Sequence, residues 1–117
     1  MNEQIIKLLE EYGLDKNEIN LYLLLVGKKE LNAYELAKIS KIHRSTTYDV
    51  LERLIQKGFI TKSQKDEITF YSAIDLSQTI SKIKEKEFLL TSLIPELEKI
   101  KDKEISKVNL FESKDSQ

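Results

Sequence analysis

Six consecutive residues, His43-Arg44-Ser45-Thr46-Thr47-Tyr48, bring together an imidazole, a guanidinium, three hydroxyls and a phenol. A guanidinium suits phosphate oxygens or the acceptor edge of a guanine, and short hydroxyls reach phosphates and base edges alike. Two further cations, Lys62 and Lys65, stand at or beside a polar loop, where long flexible side chains reach phosphate without reading sequence. Other chemistries lack their parts. The chain has no cysteine and a single histidine. A disulfide scaffold, thiol catalysis and a cysteine-ligated zinc site are therefore excluded, and a histidine-rich metal site is not expected. There is no nucleophile–base set and no glycine-rich phosphate loop, so the expectation is no enzymatic activity, no metal and no cofactor.

Each candidate also has a plainer use. Ser45 and Thr46 can serve only as helix caps, and Tyr48 can belong in part to the core. His43 suits an N-cap or a phosphate contact better than catalysis. Lys62 and Lys65 can be solubilising charges on an exposed hairpin. Asp49 and Glu52 repel phosphate if they enter a groove. Either one accepts from a cytosine amine, or both face outward and bridge to Arg53 or Lys57; the second arrangement is favoured.

The elements that must carry these residues follow from periodicity. Residues 2–12 place Ile5, Ile6, Leu8, Leu9 and Tyr12 on one helical stripe, with Gly13 as its stop. Asp15-Lys16-Asn17-Glu18 is a capping-box signature. It opens a second helix that is apolar nearly all round, the expected centre of the core, stopped by Gly27. Asn32-Ala33-Tyr34-Glu35 repeats the signature before a short third helix, with Leu36, Ala37 and Ile39 inward. The tight turn Ser40-Lys41-Ile42 leads to a fourth helix from about His43 to Lys57, ended by Gly58. Thr47, Val50, Leu51 and Leu54 form its buried face, with Ser45, Asp49, Glu52 and Gln56 opposite.

After Gly58 the period drops to two. Residues 59–63 and 68–72 read as paired strands around a polar loop at 64–67, a hairpin that must pack on the helices to be stable. A long helix follows, from Asp75 or Ser77 to about Ile105, roughly 42 Å at 1.5 Å per residue. Its far half is expected to extend past the domain and to need a partner. Ile80, Ile83, Leu90, Ile94 and Leu97 fit alternating three- and four-residue steps, with Glu87 the exception, a short and imperfect coiled-coil pattern. Ile83, Leu90, Ile94 and Leu97 are accordingly the expected dimerisation residues. Pro95 should kink this helix or remove one hydrogen bond.

Composition agrees with this layout. A chain of 117 residues, 40% of them apolar, holds one domain with an appendage. The first residues are acidic and amphipathic, unlike a signal peptide, and the longest wholly apolar stretch, around Leu23 to Val26, is far too short to span a bilayer. A soluble cytoplasmic protein without membrane contact is expected. The net charge of −1 conceals a division. Residues 1–30 carry four lysines and six acids, residues 31–65 seven basic residues and three acids, and residues 66–117 eight lysines and eleven acids. Only the middle is basic, at net +4.

The implied fold class is mostly α with a small β-hairpin: a winged helix–turn–helix followed by a long C-terminal coiled-coil-like helix. Residues 1–74 form the winged DNA-binding domain and residues 75–106 the dimerisation helix. In this layout the second helix of the pair enters the major groove with its N-terminal residues leading. The expected contacts to double-stranded DNA are His43, Arg44, Ser45, Thr46 and Tyr48 from the recognition helix at about 43–57. Lys62 and Lys65 join them from the wing, 59–73, on the backbone. The function expected is sequence-specific transcriptional regulation by a homodimer. The other reading is a winged-helix protein–protein assembly module without sequence-specific DNA binding, which the acidic second helix and the long helix would suit.

Four segments together resemble the TrmB-type archaeal transcriptional regulators. They are residues 14–25, beginning Leu14-Asp15-Lys16-Asn17-Glu18, and Asn32-Ala33-Tyr34-Glu35-Leu36-Ala37. Residues 44–54 and Lys57-Gly58-Phe59-Ile60 complete the set, and the wing ending Phe70-Tyr71-Ser72-Ala73 is also similar. The resemblance covers about residues 8–100. It implies a winged helix followed by a dimerising helix, with DNA contacts by Arg44, Ser45, Thr46 and Tyr48. Many members regulate sugar uptake or metabolism genes and carry a C-terminal effector domain that binds sugars. This sequence departs in two places. Many relatives have proline where His43 stands, and the effector domain is missing. Residues 107–114 look like the strand that begins such a domain, with Ser113 where glycine often sits. Residues 107–117 are therefore either a polar tail or the start of the missing domain, and their polar end favours a short form. No small-molecule effector is expected to bind within these residues.

Overall fold

The computed structural model describes residues 3–111, with side chains through residue 103. The described residues form α1 (Glu3–Tyr12), α2 (Lys16–Gly27), β1 (Leu31–Asn32), α3 (Ala33–Ser40), α4 (Arg44–Gln56), β2 (Ile60–Lys65), β3 (Ile68–Ala73) and α5 (Leu76–Phe111). They divide after Thr79 into two compact units. The first is a mostly helical winged helix–turn–helix, and the second is the continuation of α5.

Local signals set the helix ends. At α2 the Asp15 carboxylate accepts the Glu18 N–H at 2.8 Å, and the Glu18 carboxylate accepts the Asp15 N–H at 2.8 Å. Asn32 and Glu35 repeat this reciprocal pair at α3, at 2.8 and 2.9 Å. Each box satisfies two N–H groups that the first helical turn leaves without partners. Two glycines close α1 and α4 in the same way. Gly13 has φ +122° and Gly58 φ +86°. The Leu14 N–H bonds the Leu9 carbonyl and the Phe59 N–H the Leu54 carbonyl, each at 3.0 Å. Both ends are Schellman motifs, which need a left-handed residue at the glycine position and bury the residue just beyond it. Leu14 and Phe59 are buried accordingly. At Gly58 an added Cβ would also stand 3.2 Å from Thr79 Cγ2. The Thr79 hydroxyl donates to the Gly58 carbonyl at 2.6 Å.

The core lies where α2, α3 and α4 meet the sheet. Leu21, Leu25, Leu36, Val50, Leu51, Leu54 and Ile60 are its most buried apolar residues. The rings of Tyr12 and Tyr22 each meet Phe59 edge-on at 5.2 Å, the geometry aromatic quadrupoles prefer. Thr47 is fully buried on α4, and its hydroxyl donates to the His43 carbonyl at 3.0 Å.

Several expectations change. The hairpin gains a third strand: β3 is central, flanked by β1 and β2, all antiparallel. Two residues are too few to show a period, and Asn32 serves both as a sheet residue opposite Phe70 and as the α3 cap. The hairpin loop is two residues rather than four, since Lys65 pairs with Ile68. Asp66 and Glu67 both have positive φ, 52° and 66°, as a type I′ turn requires. Ile39 is exposed rather than inward, and of the α1 stripe only Leu9 is buried. Val26 is exposed, so α2 is not apolar all round to solvent's exclusion. Helix α5 runs beyond the expected end. Residues 107–111 continue it instead of starting a strand, while 112–117 lie outside the described residues. Pro95 sits inside α5, where its missing N–H leaves one carbonyl of the preceding turn without its helical donor.

Candidate nucleic-acid interface

The helix–turn–helix is closed by a compact corner. Ser40 Oγ accepts the Ile42 N–H at 3.1 Å, and Lys41 takes a left-handed φ of 64° as the C-cap of α3. This turns the chain into His43, the N-cap of α4. Its Nδ1 accepts the Ser45 N–H at 3.3 Å and lies 3.1 Å from Ser45 Oγ. A backbone amide can only donate, so Nδ1 is the acceptor and a neutral ring carries its proton on Nε2. His43 thus caps the helix, and both His43 and Ser45 remain exposed.

Burial of Thr47, Val50, Leu51 and Leu54 orients α4 as expected. Arg44, Ser45, Tyr48, Asp49, Glu52 and Gln56 are exposed, and Thr46 is half-buried. Arg44 Cζ stands 5.8 Å from the Tyr34 ring and 6.0 Å from the Tyr48 ring. Both distances fall within the range of cation–π attraction. Tyr34 was not singled out as a candidate from the sequence, although its four-residue spacing to Lys38, whose Nζ stands 5.8 Å from the same ring, is visible there.

The other cation of α4, Arg53, and its C-cap, Lys57, are committed elsewhere. Arg53 Nε donates to Glu18 Oε2 at 3.0 Å and Arg53 Nη2 to Asp15 Oδ2 at 3.2 Å. Lys57 Nζ donates to Glu18 at 2.8 Å and to the Gly13 carbonyl at 3.0 Å. The Glu18 side chain is only 1% exposed. Burial alone would raise its pKa, but the Lys57 hydrogen bond, the Asp15 N–H and Arg53 outweigh it and hold the carboxyl below the usual range. The expected bridges from Asp49 or Glu52 to Arg53 or Lys57 are therefore replaced. Glu52 meets Lys62 of β2 at 3.5 Å, because Arg53 and Lys57 face the α2 N-terminus.

The wing lysines split. Lys65 adjoins the turn, contacts Glu30 at 2.6 Å and lies 5.8 Å from the Phe70 ring. Lys62 lies further down β2, opposite Tyr71. Among the described residues no group of three or more histidine, cysteine or acidic side chains could hold a metal ion. No described helix is long and apolar enough to cross a membrane.

Two capped helices across a tight corner, a three-stranded sheet with a two-residue wing tip and a long following helix define a winged helix–turn–helix protein. Residues 9–77 match the family profile described as sugar-specific transcriptional regulator TrmB, and the chain belongs to that family. It is 32% identical over 87 residues to the DNA-binding HTH-type transcriptional repressor TrmBL2 of Thermococcus kodakarensis, covering 74% of this chain and 33% of that protein. It is 37% identical over 60 residues to the HTH-type sugar sensing transcriptional regulator TrmBL1 of Pyrococcus furiosus, covering 51% of this chain and 18% of that one. The solved structure of TrmBL2, an archaeal chromatin protein with a novel mode of DNA binding, superposes with a TM-score of 0.62 at 26% identity. That match covers 93% of this chain and 41% of the other. The chain thus spans a third or less of the length of the two regulators it matches.

Proposed function

We propose that the chain is a sequence-specific DNA-binding transcriptional regulator that acts as a homodimer in the cytoplasm. Residues 1–74 bind DNA and residues 75–106 dimerise. Helix α4 enters the major groove with Arg44 and Tyr48 nearest the bases, and His43, Ser45 and Thr46 reach phosphates or base edges. Lys62 and Lys65 lie along the backbone. The observation that carries this reading is the division of α4. Its C-terminal cations are bound to Glu18 and Asp15, while Arg44 and Tyr48 stand exposed at its N-terminal end. That is the end a recognition helix presents to base edges. The repressor and regulator roles of the two relatives support it.

A salt titration of duplex binding tests the reading. Each phosphate contact contributes about 0.9 to the slope of log affinity against log salt. Arg44→Ala should cost about 1–3 kcal/mol on the preferred duplex and less on random sequence. A flat salt dependence would sink the DNA reading and leave the assembly module. Equal loss on both duplexes would make Arg44 a phosphate contact.

A further inference from the structure

We infer that Tyr34 is a positioning residue that fixes the Arg44 guanidinium and so sets how well α4 discriminates between DNA sequences. The inference rests on the DNA-binding reading above and deepens it. Tyr34 lies in the first turn of α3 and is 55% exposed, so core packing does not account for it. Its ring has two cations near it: Lys38, four residues on along α3, and Arg44 across the corner, each at 5.8 Å. Arg44 in turn lies 6.0 Å from Tyr48, four residues on along α4. The series Lys38, Tyr34, Arg44, Tyr48 alternates cation and ring from one helix of the pair to the other. Two rings supplied by two different helices thus lie within cation–π reach of one guanidinium.

The consequence differs for base and phosphate. Reading a guanine edge needs the planar fork of arginine in one orientation, whereas a phosphate is satisfied by charge from many directions. A guanidinium restrained by ring contacts before binding loses less freedom on binding. Tyr34 should therefore favour the cognate duplex and leave non-specific affinity alone.

The test uses the full chain and a duplex recovered by selection from a random pool, with a scrambled duplex at the same salt as reference. Tyr34→Leu keeps an apolar body at an exposed position and should melt like the wild type. It should lower the ratio of cognate to scrambled affinity about two- to fivefold, the size of an exposed cation–π contact, with scrambled affinity unchanged. Tyr34→Phe keeps the ring and should keep the ratio. In the DNA-free protein, Tyr34→Leu should also shift the Arg44 Nε–H resonance, because a neighbouring ring current is removed. A Leu variant with the wild-type ratio overturns the proposal. So does equal loss on both duplexes, which would make Tyr34 a phosphate contact, or a Phe variant as poor as Leu, which would make the hydroxyl the active group. A wild-type chain that selects no duplex removes the DNA reading itself, and the Arg44 resonance tells that failure apart from an absent ring contact.

Discussion

A carboxylate buried as deeply as Glu18 is tolerated only when its lone pairs are filled, and Glu18 accepts from Lys57, Arg53 and the Asp15 amide. One residue therefore caps α2 and anchors the C-terminal half of α4. Removing one partner of a buried pair costs about 3–5 kcal/mol. Here Lys57 and Arg53 are roughly a third to a half exposed and can rehydrate. Glu18→Gln should accordingly destabilise by about 1–3 kcal/mol at neutral pH, the range for a charge-assisted hydrogen bond. The direction of the pKa shift sets the pH dependence. The folded carboxyl titrates below its unfolded value of about 4.3. Its stabilisation is complete above that value and is lost as pH falls through the lower folded value. Thermal melts of wild type and Glu18→Gln should thus differ most at neutral pH and converge as pH falls below the ordinary carboxylate range. A gap of constant size over the same fall in pH would show that the ionised form of Glu18 is not what stabilises the fold.

At the scale of elements, the hairpin is fixed by the pairing of β1 with β3 and by buried Ile60 and Tyr71, whereas its two lysines are held only by weak links. Lys62–Glu52 and Lys65–Glu30 are surface pairs, of a kind worth under about 1 kcal/mol. Phosphates can displace Glu52 and Glu30 at little cost, so the pairs hold the lysines near the wing without withholding them from DNA. Changing Lys62 and Lys65 together to alanine should lower the salt slope of duplex binding by roughly 1–2. The ranking of preferred over mutated sites should stay the same. A wild-type slope in the double variant would place the wing off the backbone. The hairpin also carries Asp66 and Glu67 in left-handed conformations, which non-glycine residues adopt at a cost of about 1–2 kcal/mol each. The strand pairing must offset that strain.

For the whole molecule, the decisive feature is α5. Ile83, Leu90, Ile94 and Leu97 are 43%, 63%, 56% and 45% exposed in the single chain. An apolar row of this length at coiled-coil spacing is the usual mark of an association surface. Leu90→Glu or Leu97→Glu should each convert a dimer into monomers by light scattering, while the winged unit keeps its melting transition. A dimer that survives both changes would place the interface on another face. Glu87, at a seam position, should weaken the pairing locally, because a charge there loses water when the seam closes.

The sequence alone determined whatever depends on neighbours a few residues apart. The capping boxes at Asp15 and Asn32, the Schellman glycines, the buried face of α4 at Thr47, Val50, Leu51 and Leu54, and the exposed row on α5 are all written in spacings of two to seven residues. The winged helix–turn–helix order followed from them, as did the family. Tertiary structure decided the rest, because charges and short strands take partners by proximity rather than by period. The capping box marks Glu18 as a helix-start residue, but only packing of α2 on α4 brings Lys57 and Arg53 to it, 39 and 35 residues away. β1 is two residues long and exists only because β3 lies beside it. Tyr34 and Arg44 belong to different helices, and it is the left-handed corner at Lys41 that brings ring and guanidinium together.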